Sequence, residues 1–277
     1  MSFPNDLKSV YNEGRLLPFI GAGISMAIKW REGENEIRGP SWSELVDKAA
    51  YLIGFSDPDL LRVRGTDLQI LEYFKLINQN NISELTNWLV REIHPPDKAL
   101  KDSLIHQKLS QLNKCNTFYT TNFDTFLEDS FKLLGRKSKV IAREQHMNRS
   151  LDDECEIIKF HGDLNNPEKL VLSEADYEGR LNLSTELDYR FMADLLNRKV
   201  LFLGYSFRDP NVAYLFRKIN EQFKKNNGLD GPRAYIIVKN PSKFEKTLFR
   251  SRNIEIIPAE TENLTEFISD VLDFLIK

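Results

Sequence analysis

A mostly parallel α/β sheet covered by helices is the fold class that this sequence predicts, on three observations. Short β-branched or aromatic runs alternate with longer helical patterns. Most of the short runs are apolar throughout, as in strands buried on both faces. The first run ends in glycines, the turn chemistry of a strand that feeds a ligand-facing loop.

The strands are expected at 16–20, 117–120, 139–141, 156–160, 200–203, 234–238 and 254–257. Helices fit between them. The stretch 124–134 runs up to Gly135, a plausible left-handed cap. The stretch 185–197 carries Leu187, Phe191, Leu195 and Leu196 at helical spacing, and 211–223 and 262–276 behave similarly. Almost a hundred residues separate the first two strands. They include helix-like patterns at 43–53 and 83–93, the second stopped by Pro95 and Pro96. The chain therefore reads as one domain, 1–277, with a helical insertion at about 43–112. The charged stretch 29–40, with Gly33, Gly39 and Pro40, reads as an exposed loop able to change position.

Composition narrows the function. The 277 residues can bury a large core without disulfides or metals, and 41% hydrophobic with 29% charged residues is ordinary for a soluble protein. A net charge of -3 argues against nucleic acid or an anionic membrane as a direct partner. No apolar run approaches the ~18 residues of a membrane helix. The N-terminus is polar and broken by Pro4, unlike a signal peptide, so a cytoplasmic location is expected. Cys115 and Cys155, the two cysteines, form no C-x-x-C pair; they are expected to pack as small apolar residues, and no zinc site is expected.

Four strand ends carry unusual polar residues. The first gives Gly21, Ala22, Gly23 and Ser25, where glycines let backbone approach a phosphate and the serine adds a hydroxyl. Met26 stands where a dinucleotide fingerprint has its third glycine, which argues against a hydride-transferring dehydrogenase. The second gives Thr121, Asn122 and Asp124. Thr121 or Asn122 could cap the next helix, yet an asparagine there can also orient a water or a ribose hydroxyl. The third gives His161, Gly162 and Asp163, a titratable base beside a glycine that permits close approach. His94, His106 and His146 lack such a setting and read as structural or surface residues. The fourth gives Gly204, Tyr205, Ser206, Arg208 and Asp209. The bland alternatives are a strand–helix turn for the first and fourth segments, a helix cap for the second and a satisfied structural histidine for the third.

Together, and in this order, the four segments resemble the sirtuin superfamily over about 16–239: a G-A-G-x-S loop, an asparagine–aspartate loop, a His-Gly and a late glycine–serine loop. The resemblance implies a Rossmann-like, NAD-binding fold in which Asn122 and His161 flank the nicotinamide ribose. Between His161 and Gly204 there is no cysteine, so the two C-x-x-C pairs of protein-deacylating sirtuins are missing. The strings H-G-D, Y-E-G-R and G-Y-S-F-R-D-P-N look closer to the bacterial branch of anti-phage defence, which includes Thoeris effectors and sirtuin-like partners of short Argonautes or ring ATPases.

That branch implies an NAD hydrolase that splits the nicotinamide–ribose bond and depletes NAD on infection. Asn122 and His161 would be catalytic. Gly21, Ala22, Gly23 and Ser25 would hold the pyrophosphate and neighbouring ribose, Thr121 would be a further NAD-binding residue, Asp124 would steady its loop or touch substrate, and Gly204 and Ser206 would bind the adenosine half. A toxic activity needs restraint, so a homo-oligomer or a defence-system partner, such as a ring ATPase or short Argonaute, is expected. The alternatives are a deacylase without zinc and a catalytically silent module that binds NAD or ADP-ribose. A bulky residue at Gly23 is expected to abolish NAD binding while leaving the fold intact.

Overall fold

The apolar runs become strands because helices cover both of their faces. In the first strand Leu16 and Ile20 point into one core and Leu17 and Phe19 into the other, the two-residue alternation of extended chain. The computed structural model describes residues 3–147, 154–181, 185–205, 213–214, 216–218, 221 and 231–277.

The chain opens with α1 (Asn5–Asn12), β1 (Leu16–Ile20) and the one-turn α2 (Ala22–Ser25), followed by a hairpin of β2 (Lys29–Glu32) and β3 (Asn35–Arg38). A helical segment comes next: α3 (Trp42–Leu52), α4 (Pro58–Arg62), α5 (Asp67–Ile77), α6 (Ser83–Glu92), α7 (Asp97–Asp102) and α8 (Leu104–Ser110). Then follow β4 (Thr117–Thr120), α9 (Phe126–Leu133), β5 (Ser138–Ile141), β6 (Cys155–Lys159), α10 (Glu174–Leu181), α11 (Glu186–Asn197) and β7 (Lys199–Leu203). The described C-terminal part is β8 (Ala234–Lys239), α12 (Lys243–Ser251), β9 (Ile254–Ala259) and α13 (Leu264–Ile276).

Seven strands form one sheet in the order β5-β6-β4-β1-β7-β8-β9, and every neighbouring pair in it is parallel. Residues of α1, α8, α9 and α13 pack on one face. On the other, α11 and α12 cover an aromatic layer of Phe19, Tyr119, Phe160, Phe191 and Phe202. The expected α/β class with helices on both faces is the observed one. Both cysteines are free and buried.

The helical segment has its own core of Leu45, Val46, Ala49, Ile70, Leu71, Phe74, Leu85 and Leu89. Capping boxes start two of its helices: Ser41 with Glu44 on α3, and Thr66 with Gln69 on α5. Leu170 and Leu172, from the chain just after the His161 loop, complete this core, with Phe123 and Leu164 packed against it. The segment thus buttresses two of the four polar strand ends.

Two expectations change, and one lies partly outside the described residues. The stretch 29–40 is not an irregular loop: β2 and β3 pair in register from Lys29–Arg38 to Glu32–Asn35, turning at Gly33 with φ +64°. Trp30 packs with Ile28, Leu100 and Phe126, and this holds the hairpin down. The helix expected at 124–134 starts two residues later, at Phe126. The helix expected at 211–223 lies partly outside the described residues. Among the described residues no helix is long and apolar enough to cross a membrane.

Candidate active site

The register brings the four polar loops to one level. Ile20 pairs with Thr120 and with Leu203, and Thr120 pairs with Lys159. Phe160, Thr121, Gly21 and Gly204 therefore leave the carboxyl ends of four adjacent strands, β6, β4, β1 and β7, side by side. The connection from β1 runs to β4 on one side, and the chain later returns to β7 on the other. Such a switch in direction opens a crevice at the strand ends, where ligands bind in open α/β sheets.

On the β1–β7 side backbone meets backbone. Gly21 N donates to Leu203 O and Gly23 N to Gly204 O, both at 2.9 Å. A Cβ at Gly21 would lie 2.5 Å from Gly204 O, and one at Gly23 2.9 Å from Gly204 Cα and O. Gly204 has φ +61°, and a Cβ there would sit 2.5 Å from Ile24 N. The three glycines lock the two turns together. A bulky residue at Gly23 would therefore push apart two loops, and the expectation of an intact fold is corrected. Ala22 and Gly23 are exposed; Gly21 is buried. Ser206 lies outside the described residues.

On the β4–β6 side polar side chains converge. Asn122 does not cap α9, which begins four residues further on. Its backbone N–H donates to Thr120 Oγ1 at 3.0 Å, and its Nδ2 donates to Ser25 Oγ at 2.9 Å. Ser25, itself buried, is thereby joined to Asn122 across 97 positions. Thr121 N reaches Ile20 O at 3.4 Å. The N-cap position is Thr125, without a side-chain cap bond, and Asp124, one residue earlier, accepts from Phe126 N through Oδ1 at 3.0 Å.

His161 is 2% exposed. Its ring meets Tyr177 edge-on at 5.1 Å between centroids, and the Tyr177 hydroxyl lies 3.4 Å from Nδ1. Gly162 turns the chain with φ +82°, and a Cβ there would come within 2.9 Å of Lys169 O. The Asn122 and His161 loops are also joined directly, because Leu164 N donates to Phe123 O at 3.4 Å.

Three residues that sequence reasoning left without a role hold these loops. Lys159, with a fully buried side chain, donates to Phe123 O at 3.3 Å, to Asp124 O, and to Glu128 Oε1 at 2.8 Å. A buried ammonium is tolerable only when fully bonded, and here its bonds staple the Asn122 loop to the strand that carries His161. Burial pushes the Glu128 carboxyl above its usual range, against the pull of Lys159. Arg180 donates to Phe160 O at 2.6 Å, stacks 4.2 Å over the Phe160 ring and pairs with Asp188. Tyr177 is the third. A lysine closing an apolar strand, and the string Y-E-G-R, were the available signals. Beneath the site Tyr119 donates to Asp194 Oδ2 at 2.9 Å, and burial with the Asp194 charge pushes its phenol up.

Among the described residues no group of three or more His, Cys, Asp or Glu is placed to hold a metal. His106 is buried in α8, with Nδ1 2.8 Å from Ser103 Oγ, and burial pushes its pKa down to about 4.

A parallel sheet with a direction switch, a glycine lock and an asparagine and histidine at adjacent strand ends define an α/β protein with a candidate ligand crevice at its strand ends. The comparisons give the family. A family model described as SIR2-like domain matches residues 116–257, just over half of the chain, and the chain belongs to that family. It is 26% identical over 98% of its length to a protein named NAD(+) hydrolase ThsA from Bacillus cereus (strain MSX-D12), covering 51% of that protein. It is 25% identical over 77% of its length to a protein of the same name from Acinetobacter baumannii (strain 532279), covering 41% of it. The chain thus spans about half the length, or less, of these curated relatives. A solved structure described as "Structural Basis for the Mechanism and Regulation of Sir2 Enzymes" aligns over 98% of this chain and 96% of that one, at TM-score 0.46 and 9% identity.

Proposed function

We propose that this chain hydrolyses NAD at the nicotinamide–ribose bond, releasing nicotinamide and ADP-ribose. One observation carries the reading: Asn122, bonded to Ser25, and His161 follow adjacent strands at the same register level, in the family that the chain belongs to. The names of its ThsA relatives support the same chemistry.

Nicotinamide leaves as a neutral molecule from a cationic ring, so the departing group needs no protonation. What remains is to hold the dinucleotide, stabilise an oxocarbenium-like ribose and present a water. The pyrophosphate and neighbouring ribose lie along Ala22 and Gly23, with Gly21 keeping the turn close to Gly204 and Thr121 alongside. The Nδ2 bond to Ser25 orients the Asn122 carboxamide, whose Oδ1 accepts from the attacking water or a ribose hydroxyl. His161 removes a proton from that water or hydroxyl. Asp124 steadies the Asn122 loop, and Gly204 with Ser206 lines the adenosine half. In the cell this activity serves to deplete NAD in anti-phage defence, with a homo-oligomer or a partner such as a ring ATPase or short Argonaute restraining it.

Incubating the purified protein with NAD and identifying products by chromatography and mass spectrometry tests the reading. Nicotinamide and ADP-ribose in equal amounts are expected. NAD bound but intact would show a silent nucleotide-binding module, and turnover only with an acyl-lysine peptide would show a deacylase.

A further inference from the structure

Helix α10 is held from two sides. On one side lies a single stripe of α5, residues 69, 72 and 75. Gln69 Nε2 donates to Glu174 Oε1 at 3.0 Å, Ala175 N donates to Glu72 Oε2 at 3.1 Å, and Lys75 Nζ donates to Asp176 at 2.8 and 3.0 Å. Asp176 also accepts from Leu172 N, Ser173 N and Ser173 Oγ, which fixes the start of the helix. On the other side α10 grips the end of β6. Arg180 bonds and stacks on Phe160, and Tyr177 meets the His161 ring edge-on with its hydroxyl 3.4 Å from Nδ1.

We propose that Tyr177 is a positioning residue for His161, and that α10 is the strut through which the helical segment sets that histidine. The inference rests on the proposed role of His161. Which imidazole nitrogen carries the proton is governed by the hydrogen bond that the other one makes. With Nδ1–H donating to the Tyr177 hydroxyl oxygen, the contact holds the ring plane and leaves Nε2 as the nitrogen that takes a proton. The contact is long, as such bonds are before substrate tightens the site. The base is thus built from two parts of the chain: the loop after β6 carries the imidazole, and α10, tied to α5, aims it.

Tyr177→Phe removes one hydroxyl and keeps the ring that packs on His161. Two measurements on it decide the matter. The first is the pair of imidazole 15N shifts of His161, assigned by their loss in His161→Ala, which report the tautomer without any turnover. The second is steady-state nicotinamide release beside calorimetric NAD affinity. The expected results are altered His161 15N shifts and a kcat lowered up to roughly 10²-fold, the effect of a misaimed catalytic group, with NAD affinity within about twofold of wild type on the same argument. Lys75→Met should move the same shifts and kcat in the same direction by less, and Lys75→Arg should restore both. Unchanged 15N shifts in folded Tyr177→Phe would overturn the proposal. If the wild type releases no nicotinamide, the NAD-hydrolase reading fails, and the 15N comparison still decides whether Tyr177 positions His161.

Discussion

Where β1 and β7 end, backbone meets backbone; where β4 and β6 end, side chains meet. The two halves of one strand-end surface use opposite means. Gly21, Gly23 and Gly204 contribute the absence of a side chain, which lets Gly23 N reach Gly204 O. Asn122 and His161 contribute functional groups, each held by a neighbour: Ser25 for the carboxamide and Tyr177 for the imidazole. A change in the first half should therefore appear as lost stability, and a change in the second as lost turnover.

The largest expected effect lies in the side-chain half. Asn122→Ala and His161→Ala should each lower nicotinamide release by roughly 10²–10⁴-fold, the loss of one positioned acid–base or orienting group. NAD affinity should largely persist, since binding is spread over the dinucleotide. Single-turnover release and melting temperature, measured on the same samples, check this. Full turnover in a folded variant would make the residue it replaces structural, and full turnover in both would erase the contrast between the halves.

In the glycine half Gly204→Ala and Gly21→Ala should cost stability first. A Cβ at either site meets a backbone atom at 2.5 Å, and Gly204 adds a positive φ. Overpacking alone amounts to roughly 1–3 kcal/mol at Gly21, and left-handed backbone raises the cost at Gly204 to roughly 2–5 kcal/mol. Urea unfolding of the two variants measures it. A loss below about 0.5 kcal/mol, within the range of an ordinary surface change, would mean that the two turns separate freely and that the lock does not exist.

How legible this arrangement was depends on whether its causes are local. β1 and β4 occupy the expected 16–20 and 117–120, because a strand covered on both faces is apolar throughout. The asparagine and histidine stood out as polar residues directly after such strands. The hairpin of β2 and β3 did not, because Lys29, Arg31, Glu32, Glu36 and Arg38 carry the composition of a loop and Trp30 alone in β2 faces inward. The partners of Lys159 were equally hidden: two of them are carbonyls of a loop 35 and 36 positions away, and no local pattern announces them. The glycines showed that something must come close. That the close neighbour is another turn of the same chain, rather than a phosphate alone, is set by the register of β1 with β7.

A third effect lies away from both halves and must be separated from them. His106 is fully buried, with its pKa lowered from 6.5 to about 4 by desolvation. Its folded pKa is below its unfolded one, so the stability it supports is complete above pH 6.5 and is lost as pH falls toward 4. That shift corresponds to about 3 kcal/mol across the window. Urea midpoints at pH 7 and pH 5 should differ in the wild type, and the difference should shrink in His106→Phe. If the acid loss were unchanged in that variant, another group would be responsible. The pH profile of turnover is best taken above this window, where unfolding does not imitate a catalytic titration.

The smallest expected effect tests whether the halves are separate at all. Ser25 belongs by sequence to the glycine loop, yet its Oγ accepts from Asn122 Nδ2 at 2.9 Å. Ser25→Ala removes one neutral hydrogen bond and leaves the glycine lock untouched, so stability should fall by only about 1 kcal/mol. The carboxamide, freed from its orienting partner, should then populate rotamers that do not present Oδ1 to the water. Turnover should drop roughly tenfold, with NAD affinity nearly constant, because alignment rather than binding is lost. Ser25→Thr, which keeps the hydroxyl, should recover part of the rate. If Ser25→Ala instead weakens NAD binding in proportion to the rate, the hydroxyl belongs to the dinucleotide and not to Asn122. If it changes neither, Asn122 is held by its own backbone bond to Thr120, and the two halves do not communicate through this contact.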